Sequence, residues 1–112
     1  MKEFLDVASL EWYEEEEFPG VFVRDILTSA DNDQISVHYV RIEPGGGVLE
    51  DSHPQLELFY ILKGKGEAEV GDRVHTVSAH TVLCAAPNIK HTIRNTGQED
   101  IVMLAILSPP YV

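Results

Sequence analysis

Three groups that resist burial, Asp51, His53 and Glu57, stand directly ahead of the apolar run Leu58-Phe59-Tyr60-Ile61-Leu62. On a strand, residues two apart share a face, so Asp51 and His53 point the same way. Pro54 bends the chain, after which Glu57 rejoins that face with Phe59 and Ile61 beyond it. Two carboxylates and an imidazole at the end of an apolar lining need partners that offset their removal from water. A divalent transition metal satisfies all three together, because imidazole nitrogen and carboxylate oxygen are ordinary ligands of iron, manganese, nickel and zinc. The bland alternative is a solvated loop. A second imidazole, His91, opens a strand-like run just past the Pro87-Asn88 turn and can face the same space from a neighbouring strand. His38 shares a face with Ser36 and Val40 by parity, and an imidazole titrating near neutrality suits proton transfer. Its competing reading is a core histidine bonded to backbone.

The elements that must position these groups are short. The apolar period is two along residues 21–27, 35–42, 57–63, 67–70, 73–77, 81–85, 91–95 and 101–107. Pro44-Gly45-Gly46-Gly47, Gly64-Lys65-Gly66, Gly71-Asp72, Pro87-Asn88 and Thr96-Gly97 punctuate them. Turn signals at roughly ten-residue intervals predict an antiparallel all-β sandwich or barrel. Only residues 4–17 could hold a helical turn.

At 112 residues the chain supports one core, so residues 1–112 are read as a single domain. With 8 Lys and Arg against 19 Asp and Glu, the formal charge of −11 repels phosphate backbones and argues against nucleic acid. No apolar stretch approaches the roughly 20 residues of a membrane helix. The opening MKEFLDVASLEW lacks the apolar core of a signal peptide, so a cytoplasmic location is expected. A single cysteine, Cys84, excludes an internal disulfide and reads as a small buried apolar residue. Glu14-Glu15-Glu16-Glu17 reads as a solvated segment, and His75 and His80, near turns, as exposed. Arg41 and Arg94 alternate away from the inferred inner face, leaving no fixed cation there for a phosphate or dicarboxylate. A neutral or weakly polar small molecule fits that lining better, with Met103, Ala105, Phe59, Ile61 and Ile93 as its apolar wall.

Two motifs carry a family resemblance. Gly45, five residues, Asp51, Ser52, His53, three residues, Glu57, six residues and Gly64 follow G-x5-H-x-H-x3,4-E-x6-G, with Asp51 in the first histidine's place. His91 and Asn95 follow the H-x3-N end of G-x5-P-x-G-x2-H-x3-N. His80 and Asn88 stand at its glycines, and Pro87 is displaced by one. The chain thus resembles a small single-domain cupin, a double-stranded β-helix or jelly-roll barrel. The resemblance implies a divalent metal held by His53, Glu57 and His91, with Asp51 a fourth ligand or a group acting through water. It implies a metal-dependent enzyme of oxygenase, isomerase or decarboxylase type on a small molecule, with His38 or Asp51 moving a proton. The alternatives are a non-catalytic small-molecule or sugar-binding cupin, or a structural dimer with a vestigial site. A homodimer is also expected, through residues 1–20 or the outward Leu58, Tyr60 and Leu62.

Overall fold

The computed structural model describes residues 2–112. Ten strands follow one another: β1 (Tyr13–Glu14), β2 (Val21–Leu27), β3 (Ser36–Ile42), β4 (Gly47–Asp51), β5 (Leu56–Lys63), β6 (Gly66–Val70), β7 (Arg73–Val77), β8 (Val82–Ala85), β9 (His91–Arg94) and β10 (Ile101–Ser108). Within residues 4–17, where the sequence could hold a helical turn, lies a short 3-10 turn, Val7–Ser9, capped by the Asp6 carboxylate. All pairings are antiparallel, in a six-stranded sheet ordered β1-β2-β3-β10-β5-β8 and a four-stranded sheet ordered β4-β9-β6-β7.

Alternation builds the core between them. Val21, Val23, Val40, Ile42, Phe59, Ile61, Leu83 and Met103 come from the larger sheet; Val48, Ala68, Val77 and Ile93 come from the smaller. In β3 and β10 every second residue is buried. Each buried apolar side chain of Val, Leu or Ile size contributes on the order of 2 kcal/mol, so this pattern fixes which face of each strand points inward. A one-residue slip would turn the whole set to water.

The turns carry the conformations that the motifs require. Gly45 and Gly64 have φ of 82° and 90°. His80 and Asn88, standing at the second motif's glycine positions, adopt φ of 69° and 67°. Asn tolerates this left-handed region because its short amide bonds locally. Asn95 closes the second motif: its buried amide donates to the Ile42 and Glu99 carbonyls and accepts from the Gly97 N–H.

Candidate metal centre

Four side chains from both sheets and their connection meet at one end of the core. Asp51 ends β4, His53 lies in the link to β5, Glu57 is the second residue of β5, and His91 opens β9. One potential ligand atom from each lies within 4.8 Å of all the others. A bulge makes this convergence possible. Val48 pairs with Ile93, yet Asp51 pairs with His91, so β4 carries one residue more than β9 over that interval. Glu50 takes up the extra residue with φ of 50°, and its N–H donates to Thr92 Oγ1 at 2.8 Å. Without the bulge Glu50, not Asp51, would face His91.

The imidazoles are set for ligation. His53 Nδ1 lies 3.1 Å from the Gln55 carbonyl and His91 Nδ1 lies 3.0 Å from the Ile89 carbonyl. A carbonyl only accepts, so each Nδ1 carries the proton and each Nε2 presents its lone pair. Those lone pairs converge on Glu57 Oε1, 2.8 Å from His53 Nε2 and 3.1 Å from His91 Nε2. Acceptors this close need a positive species between them, a proton or a metal ion. His91 Nε2 is fully buried and has no aligned hydrogen-bond partner. Asp51 Oδ2 stands further out, 3.9 and 3.8 Å from the same two nitrogens. This set of two nitrogens and two carboxylates fits a divalent transition ion. Burial disfavours a charged His91, but Glu57, the Ile89 carbonyl and Asp51 outweigh it and raise its pKa. Burial chiefly raises that of Asp51, against the pull of His53 and His91.

Beside these residues lies a cavity of about 120 Å³. Phe59, Met103, Ala105 and Leu107 wall it with Val21, Val23, Val40 and Val48. The expected wall residues Ile61 and Ile93 lie in the core instead, completely buried. Tyr111 closes over the site, its ring 5.7 Å from that of His53. His38 is buried and lines the cavity, as parity required. Both of its nitrogens are engaged: Nδ1 lies 2.7 Å from Asp25 Oδ1 and Nε2 lies 2.9 Å from Ser36 Oγ. Tyr13 donates its hydroxyl to the same Asp25 carboxylate. Burial works against an ionised Asp25, but the bonds from His38 and Tyr13 prevail and hold its pKa below the usual value.

Two further features depart from the sequence reading. Glu15 and Glu17, taken there as part of a solvated run, line the cavity. The alternating β1 pairing carries them to the mouth: Tyr13 pairs with Val23, and the Glu15 N–H donates to the Val21 carbonyl. Strand β1 is only Tyr13 and Glu14, and the glutamates after it have no apolar period, so nothing in the pattern flagged them. Cys84 is exposed rather than buried. It sits on edge strand β8 opposite outward Leu58, while its neighbours Leu83 and Ala85 take the inner face. Arg41 does face outward, over Phe22 and Trp12, and among the described residues no Lys or Arg lines the cavity. His75 and His80 are exposed as expected.

A double-sheet β-barrel with His, Glu and Asp gathered at one end defines a class of protein, and the comparisons with known proteins name it. Residues 38–107 match the cupin domain family model, and the chain belongs to that family. It is 31% identical over 65 residues to a 5-nitrosalicylic acid 1,2-dioxygenase of a Bradyrhizobium species. That match covers 58% of this chain and 31% of the dioxygenase, so the chain spans only part of that relative's length. The fold is similar to an RmlC-like cupin of Shewanella frigidimarina, with a TM-score of 0.87 at 13% identity, covering 99% of this chain and 94% of that one. It is also similar to a predicted oxalate decarboxylase of Thermotoga maritima, with a TM-score of 0.85 at 21% identity, covering 95% and 98%. Among the described residues no helix is long and apolar enough to cross a membrane.

Proposed function

We propose that this cupin is a metal-dependent enzyme of the oxygenase type, acting on a small organic molecule held in the cavity beside His53, Glu57 and His91. The observation that carries this reading is the pair of imidazoles whose Nδ1–H groups are spent on backbone carbonyls while both Nε2 lone pairs converge on Glu57 Oε1. The partial likeness to a dioxygenase favours oxygenase chemistry over isomerisation or decarboxylation. His53, Glu57 and His91 would hold the ion, with Asp51, set further out, as a fourth ligand or a group acting through water. Two histidines and one carboxylate with open positions suit iron or manganese, which would supply Lewis-acid and one-electron chemistry.

The chain's own residues do the rest. Phe59, Met103 and Ala105 exclude water and orient the substrate's apolar part. Asp51, half-buried at the edge of the cavity, is placed to exchange a proton with substrate. His38, the other acid/base candidate, has no free nitrogen; it orders the wall through Asp25 and Ser36 and reaches a substrate only if Ser36 gives up its bond.

The chain works as one cupin unit and pairs as a homodimer through the partly exposed Leu58, Tyr60 and Leu62. A monomer by sedimentation at micromolar concentration would remove that pairing. An exposed free thiol at Cys84 suits a reducing cytoplasm. The enzymatic reading is tested by oxygen consumption of iron- or manganese-loaded protein over a panel of small aromatic and aliphatic substrates. Turnover abolished in Glu57→Ala supports it; ligand binding without turnover in any member makes the protein a binding cupin.

A further inference from the structure

Resting on that reading of the site, we propose that the substrate carries a positive charge: the cavity is built for a small organic cation, such as a primary amine on an apolar or aromatic body. Among the described residues four side-chain carboxylates line it, those of Glu15, Glu17, Asp51 and Glu57, and no Lys or Arg accompanies them. A bound divalent ion would neutralise the charges of Asp51 and Glu57 and leave Glu15 and Glu17 unbalanced. Among the described residues neither has a basic partner, whereas Lys2 and Arg41 are engaged elsewhere with Asp31, Glu43 and Asp100.

The site shows by other means that it is made to be filled. The buried Nε2 of His91, without an aligned partner, lies 3.1 Å from the lining carboxylate of Glu57. The remaining wall is apolar and aromatic, with Phe18, Phe59, Tyr13 and Tyr111, whose ring faces attract cations. At the mouth, burial first and then repulsion from Asp25 and Glu17 raise the pKa of Glu15 against the pull of His38. A cation relieves that repulsion, and an anion adds to it. Electrostatics therefore selects against the wrong charge as much as for the right one.

Three probes of similar body and different charge test this: benzylamine, benzyl alcohol and salicylate. Binding is measured calorimetrically to the protein with and without manganese, and metal uptake is titrated separately. Benzylamine should bind tightest in both forms, and added salt should weaken it. Glu15→Gln/Glu17→Gln should weaken benzylamine about five- to ten-fold while leaving benzyl alcohol unchanged. Salicylate or benzyl alcohol binding as tightly as benzylamine, no measurable benzylamine binding, or indifference to the double substitution would overturn the assignment. The failures separate: metal uptake without a preference for benzylamine sinks the substrate class alone, and that preference without metal uptake sinks the enzymatic reading alone.

Discussion

The centre is decided by single atoms. Glu57 Oε1 touches both imidazoles, while Asp51 Oδ2 is nearly 4 Å from each, so the two carboxylates should not be equivalent. Glu57→Gln, His53→Ala and His91→Ala are each expected to lower manganese affinity more than 100-fold. Asp51→Ala should cost about ten-fold, the scale of a group that tunes ligands rather than supplying the main bonds. Isothermal titration of the four variants reads this directly, and an Asp51→Ala loss equal to that of Glu57→Gln would make Asp51 a full ligand. Glu15 provides a second prediction at this scale. Its folded pKa is raised above 4.5, so its contribution to stability is present below pH 4.5 and is lost as pH rises through the folded value. Glu15→Gln should therefore stabilise at pH 7 by a few tenths of a kcal/mol, since water screens the carboxylate, and give no gain below pH 4.5. Paired urea melts at the two pH values check it. On the proposal above, the same substitution should also weaken cation binding, as expected where stability is sacrificed for a site.

At the scale of elements, much of the architecture was legible because half-buried strands write their faces into the sequence. The alternation of 35–42 and 101–107 identified β3 and β10 almost to the residue and placed His38 inward. The proximity of His53 and Glu57 was readable because groups that resist burial, set ahead of an apolar strand, demand an explanation, and that of His91 because it opens a strand just past the Pro87-Asn88 turn. Other features were silent. The bulge at Glu50 sets the register of Asp51 through one left-handed residue, and Glu is not a residue that announces such a φ. Glu15 and Glu17 belong to a run of four glutamates that mostly lies beyond the two-residue strand β1, so they looked like solvent-facing charge. Cys84 was misplaced because composition says buried, whereas parity on an edge strand says outward. Gly64 shows what a turn costs when its signal is removed. With φ of 90°, and with an added Cβ only 2.6 Å from the Asp100 carbonyl, Gly64→Ala should destabilise by about 2 kcal/mol or more. Chemical denaturation should show that loss, and an unchanged midpoint would mean that the turn relaxes freely.

For the whole molecule, the two sheets are joined at one end by groups that repel one another unless something positive lies between them. Glu57 belongs to the larger sheet and His91 to the smaller, so an ion there ties the layers together. At a free metal concentration 100 times Kd, binding should add about 2.7 kcal/mol to apparent stability. For a domain of this size that corresponds to a rise in Tm on the order of 10 °C. Glu57→Gln should abolish the rise while keeping the fold, because the core on the far side is untouched. The most direct measurement is anomalous diffraction, at the absorption edges of the first-row metals, from crystals of protein purified without chelator. A peak about 2.0–2.3 Å from His53 Nε2, His91 Nε2 and a Glu57 oxygen is the predicted result. Featureless anomalous density, with the imidazoles turned apart in a crystal grown in millimolar manganese or iron, would contradict the account.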